Sequence, residues 1–142
     1  MPSFTSQVPN LQAVGPVVEV QVAVGSAVET ALRRTKAAVP LPIPVLAMID
    51  TGASGTVIRQ GMAFQLGLNA VGVSYINTPS STNVRCYEYM IRLIFPNNVV
   101  AETRAIEAPL QGQNIQALIG RDVLAHGVLI YIGYTQSFTL SF

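Results

Sequence analysis

Asp50 stands in Ala47-Met48-Ile49-Asp50-Thr51-Gly52-Ala53-Ser54-Gly55-Thr56-Val57-Ile58, at the end of an apolar run. An unpaired charged carboxylate in such a setting costs on the order of several kcal/mol unless it shifts its pKa, finds a partner or reaches solvent. The residues after it are suited to presenting it. Gly52 allows backbone angles and a close approach that a side chain would block. Thr51 can donate its hydroxyl to lock the loop, and Ser54 offers a further donor near the carboxylate. Held on the floor of a cleft, such a group can exchange a proton with water or substrate. Asp-Thr-Gly alone is also a common turn at a strand end. Its context here is more specific: the five residues before Asp50 are apolar, those after it are small, and Leu118-Ile119-Gly120 follows about 70 residues downstream with a helical segment behind it.

The other candidates are weaker. Asp122, the only other aspartate, lies beside Arg121 where a helix starts, so an ion pair and a helix-start role are expected of it. His126, the single histidine, precedes Gly127 at the end of that helix, where positive charge is favoured. Cys86 is the only cysteine, which excludes an intrachain disulfide and a thiolate-rich metal site; it is expected to be a small half-buried residue, with Arg85 the one cation beside it. One histidine and one cysteine also remove most zinc sites and leave Ser54 without a local base.

Composition limits the partners. Eight basic and seven acidic residues give a net charge of +1, with no charged run and no interleaving of basic and aromatic residues, so neither nucleic acid nor an anionic membrane is expected. Half of the residues are hydrophobic and 11% are charged, which implies a folded chain with apolar surface left to bury between subunits. The amino-terminal stretch has no basic start and no apolar run, and no segment reaches the roughly 18 to 20 apolar residues of a membrane span. A cytoplasmic protein is the expectation.

The elements that must carry these residues are mostly short strands. Residues 1 to about 14, with Pro2 and Pro9, read as a loose arm, and 17–24 alternates with Val18, Val20, Val22 and Val24 on one face. Ser26 and Glu29 fit a capping box for a helix over 27–38. Prolines 40, 42 and 44 then leave an extended lead into the strand 45–49. A short strand over 56–58 and a helical turn over 59–66, capped by Gly67, follow the Asp50 loop. From Gly72 to Phe95 the pattern is a hairpin whose turn, Thr78-Pro79-Ser80-Ser81-Thr82-Asn83, is marked by composition. Strands over 99–108 and 115–119, a loop over 111–114, a helix over 121–126 and a closing hairpin of 128–132 with 137–142 complete the chain. The class is all-β with two or three short helices, one lobe per chain.

These residues resemble the retropepsin-like aspartic proteases, the single-domain relatives of the retroviral proteases, and in particular their bacterial members. The resemblance rests on AMIDTGASGTVI and ALIGRDVLAHGVLIY at their spacing and covers residues 15–142, with 1–14 a flexible arm before the protease domain. It implies a closed, barrel-like acid protease fold with a flap hairpin. Asp50 matches the catalytic aspartate, Thr51 and Gly52 match the residues that brace it, with Ala53 and Ser54 in the same loop, and Leu118, Ile119 and Gly120 match the strand of the psi-loop behind it.

Aspartic-protease chemistry needs two carboxylates, one charged and one protonated, because like charges about 3 Å apart cannot both ionise. Only one Asp-Thr-Gly loop is present, so the resemblance implies a homodimer with one Asp50 from each subunit, acting on an extended peptide or unfolded protein. It implies no metal and no other cofactor. The hairpin 72–90 would be the flap, with Thr78, Pro79, Ser80, Ser81 and Thr82 at its tip, stiffer and more polar than the glycine-rich retroviral one. An acid-leaning pH optimum is expected, moved towards neutrality by Ala53 where two-lobed members usually carry serine. The closing strand 137–142 is read either as a site of pairing between subunits or as an internal edge strand. Two rival functions stand beside this one: an inactive protease fold that binds extended segments or mediates dimerisation, and an Asp50–Asp122 pair acting within a monomer.

Overall fold

A computed structural model describes residues 1–110 and 114–142. In chain order the elements are β1 (Ser3–Gln7), α1 (Leu11–Val14), β2 (Val17–Val24), α2 (Ser26–Arg34), β3 (Ile43–Ile49), β4 (Val57–Arg59), α3 (Met62–Gln65), β5 (Gly72–Thr78) and β6 (Ser81–Ile94). They continue with β7 (Val100–Ala108), β8 (Ala117–Ile119), α4 (Arg121–Leu124), β9 (Val128–Ile132) and β10 (Ser137–Ser141). The loop expected at 111–114 lies largely outside the described residues.

A seven-stranded sheet runs β2-β3-β8-β4-β7-β6-β5, and β2 also pairs with β6 through Gln21–Val24, which closes the sheet on itself and leaves β5 hanging from the rim. That closure explains why β2 is buried beyond its alternation: Val18, Val20, Val22 and Val24 face the core as their spacing predicts, and Ala23 is covered as well. Pro44 fits inside β3 because it pairs with Gln21 on one side only, at a level that the short β8 does not reach. Ile58, Ile91, Leu93 and Ile119 fill the interior.

The second sheet has the order β1-β10-β9. Phe4 stacks on Phe95 at 5.5 Å and meets Phe138 edge-on at 6.2 Å, while Phe95 contacts Phe142 at 5.9 Å, so an aromatic cluster welds this sheet to the barrel. The first residues are therefore not the loose arm that their polarity suggests. β1 pairs residue by residue with β10, and Phe4, Val8 and Leu11 are buried. Likewise β10 has a neighbour on each side, so it is neither an edge nor free to pair with another subunit.

The helix α2 ends at Arg34, short of the expected 38, because the Thr35 hydroxyl donates to the carbonyls of Ala31 and Leu32 and Lys36 turns left-handed at φ 57°. Its expected capping box does not form. Glu102 of β7 accepts from the backbone N–H and the hydroxyl of Ser26, and Glu29 turns instead to Arg33 and Arg92, each at 2.8 Å. The hairpin tip is also tighter than composition implies. Thr78 pairs with Ser81, leaving Pro79 and Ser80 as the turn, and the N–H of Asn83 donates to Asn77 Oδ1 at 3.1 Å. Among the described residues no helix is long and apolar enough to cross a membrane.

Candidate active site

β3 delivers Asp50 to the rim of the barrel, and β8, parallel to it, delivers Gly120 alongside. The Asp50 N–H donates to the Ile119 carbonyl at 2.9 Å, which holds the aspartate in line with its strand. The Asp50 side chain is half-buried, and its Oδ1 accepts the Gly52 N–H at 2.9 Å. A Cβ on Gly52 would lie 3.1 Å from that oxygen, so glycine here keeps the carboxylate uncrowded. Ala53 N–H donates back to the Asp50 carbonyl at 3.2 Å and closes the turn.

Arg121 clamps the loop from the other side. Its N–H donates to the Ala53 carbonyl at 2.9 Å and its Nη1 to the Thr51 carbonyl at 2.8 Å. Gly120 comes so close to the loop that a Cβ on it would sit 2.5 Å from the Gly55 carbonyl carbon and oxygen. Leu118-Ile119-Gly120 therefore packs directly behind the Asp-Thr-Gly turn. Thr51 and Ser54 are exposed, and among the described residues neither the loop-locking hydrogen bond expected of the Thr51 hydroxyl nor a Ser54 donor on the carboxylate is formed.

Thr56 and Thr103 complete the site in a way that was not legible from motif alone. The Thr56 hydroxyl, fully buried, accepts the Gly120 N–H at 3.1 Å and donates to Asp122 Oδ1 at 2.8 Å. The Thr103 hydroxyl donates to Asp122 Oδ2 at 2.6 Å. Asp122 thus binds two threonines and makes no ion pair with Arg121, because the arginine is already engaged at the loop. The one signal in the sequence is that Thr56 interrupts an otherwise apolar or glycine stretch, Gly55 to Ile58. His126 is exposed at the end of α4, as its position implies, and burial pushes the Cys86 thiol up. Beside the Asp50 loop, Thr51, Arg121, Leu124, Ala125 and Leu129 line an open, mainly apolar groove of about 480 Å³.

Among the described residues, one oxygen of this carboxylate is held by a backbone N–H and the other meets no donor, an arrangement compatible with proton exchange. Among the described residues no three His, Cys, Asp or Glu side chains come together as a metal site would require.

The aspartyl protease family model matches residues 42–123, more than half of the chain. The chain belongs to that family. Its fold is retropepsin-like: it matches the crystal structure of a retropepsin-like aspartic protease from Rickettsia conorii over 100% of this chain and 95% of that one, at 12% identity and a TM-score of 0.50. The retroviral protease-like domain of Ddi1 from Leishmania major is matched over 81% of this chain and 80% of that one, at 14% identity and a TM-score of 0.42. No curated protein matches the chain.

Proposed function

We propose that this chain is an aspartic endopeptidase active as a homodimer, in which the Asp50 carboxylates of two subunits share one proton. The observation that carries this reading is the contrast between the two aspartates. Both oxygens of Asp122 are taken by Thr56 and Thr103, whereas among the described residues Asp50 spends only Oδ1, on the Gly52 N–H. With Asp122 committed, this contrast supports a dyad whose second carboxylate comes from another chain.

In that dimer the ionised Asp50 takes a proton from the bound water as the water attacks the scissile carbonyl. The protonated Asp50 hydrogen-bonds the carbonyl oxygen, and a tetrahedral intermediate forms with no covalent bond to the enzyme. Proton return to the leaving nitrogen then breaks the peptide bond. The β5–β6 hairpin serves as the flap, with Thr78, Pro79, Ser80, Ser81 and Thr82 closing over an extended peptide and excluding water. Arg121 and Thr56 act as positioning residues for the loop, and the protease domain spans residues 15–142, with β1 and α1 packed onto it.

The test is Asp50→Asn with an unfolded protein as substrate. Cleavage falls by about a thousandfold or more while sedimentation still shows the dimer, and pepstatin-type inhibitors suppress cleavage by the unaltered protein. Undiminished cleavage by Asp50→Asn overturns the assignment.

A further inference from the structure

The three-stranded sheet has two edges, β1 and β9, and they are built differently. Register places Thr5, Thr139 and Ile130 side by side across the sheet, with Ser3, Ser141 and Val128 as the next row. The face carrying these residues is polar on β1 and β10, where the Thr5 and Thr139 hydroxyls bond to each other at 2.7 Å. It becomes apolar only at β9, through Val128, Ile130 and Ile132. Val128 and Ile130 are each 49% exposed. Among the described residues, nothing covers this apolar row on the outermost strand.

The edge of β9 is also unguarded. Free edges normally carry charge, proline or a bulge that deters pairing with another chain. Val128-Leu129-Ile130-Tyr131-Ile132 contains no charge and no proline, and its pairing with β10 is regular. Its position matters as much as its composition. Leu129 shares the groove with Thr51, the residue next to Asp50, so this edge borders the loop that has to meet its own copy.

We propose that the free edge of β9 is the docking surface for a second copy of this chain, pairing antiparallel with the same strand about a two-fold axis at Ile130. The inference rests on the homodimer reading above and names the surface that builds it. Antiparallel pairing of identical strands satisfies a two-fold, because each residue meets the counterpart of its own partner. Centred on Ile130, the pairing sets Val128 opposite Ile132 of the copy and joins the two apolar rows into one. It satisfies the unpaired backbone groups of both edges, and it brings the grooves beside the two Asp50 loops to the same interface.

Ile130→Asp tests this. Ile130 is half exposed, so the monomer keeps its fold by circular dichroism, while two carboxylates at the axis raise the dimer dissociation constant by about a hundredfold or more in sedimentation. Thr5→Asp, in the same row at the opposite edge, leaves that constant unchanged. In a Cys86→Ser background, Ile130→Cys forms an interchain disulfide on mild oxidation, because facing residues in an antiparallel pair hold their Cβ atoms about 4.5–5.5 Å apart and need only a small adjustment to bond. The crosslink decides the matter should Ile130→Asp fail to fold. A monomer at every concentration, an unchanged constant for Ile130→Asp, dissociation by Thr5→Asp or a dimer that does not crosslink overturns the proposal. A dimer that Ile130→Asp dissociates but that cuts no substrate upholds the docking surface and removes the protease reading instead.

Discussion

Around Asp50 the chain is tied to distant segments, through Ile119, Arg121 and the Gly120–Thr56–Asp122 chain of hydrogen bonds, whereas past Glu88 the β5–β6 hairpin is held mainly by its own two strands. The loop buries its key hydroxyl completely. On the hairpin, Tyr75 and Tyr87 stand exposed, with Arg85 lying over the Tyr87 ring at 5.1 Å. The difference is between precision and compliance. The proposed function asks for both: a catalytic carboxylate would have to be held within a fraction of an ångström, and a covering element would have to yield for a peptide to enter.

The largest expected effect on stability comes from breaking the rigid side. Gly120→Ala forces a methyl group into the Gly55 backbone and costs about 3 kcal/mol in chemical denaturation at fixed protein concentration. Gly55→Ala, whose methyl meets nothing within 4 Å, is close to neutral. Equal losses at the two positions contradict a packing that crowds Gly120 and leaves Gly55 open. Next comes Thr56→Val, which leaves the buried Gly120 N–H without its acceptor and removes one donor from Asp122. It lowers stability by about 2 kcal/mol and lowers activity through a displaced Asp50 loop.

On the compliant side, Pro79→Gly changes stability by less than about 1 kcal/mol, because the tip packs against little. By loosening the open hairpin it makes closure costlier, and KM for a peptide rises by about threefold in steady-state kinetics. The smallest effect lies where β6 leaves the hairpin for the barrel. Arg33 and Arg92, hydrogen-bonded to Glu29, hold its carboxyl below its ordinary value of 4.5. A depressed carboxyl contributes stability above its unfolded-state pKa and loses it as pH falls through the lowered folded-state value. Glu29→Gln therefore lowers stability slightly at neutral pH, by an amount kept small by the exposure of the group, and the difference from the unaltered protein vanishes as pH falls below about 4.5, as denaturation across that range will show.

The same contrast governs what was legible in the sequence. The placement of Asp50 and Gly52 could be read because it follows from short-range demands, an apolar strand and a tight turn, and the packing of Gly120 behind them was implied by the resemblance. β2 was equally readable from its alternation. By contrast, β1 holds one large apolar residue, Phe4, and its place is set by β10, more than 130 residues away. Asp122 found threonines 66 and 19 residues distant instead of its neighbour Arg121, and Ser26 found Glu102 instead of Glu29. In each case a local pairing rule lost to a partner supplied by the closed barrel.

β6 is a single strand of 14 residues, clamped by β7 from Glu88 to Ile94 and by β2 over the last part of that span. Residues 81–87 project beyond the clamp for roughly 23 Å at about 3.3 Å per residue. A continuous strand has no joint at its root, so the element works as a cantilever and not as a hinged door. Any deflection grows with distance from the clamp, so on the proposed flap reading the displacement that admits a peptide is concentrated at Pro79 and Ser80 while Glu88 stays nearly still.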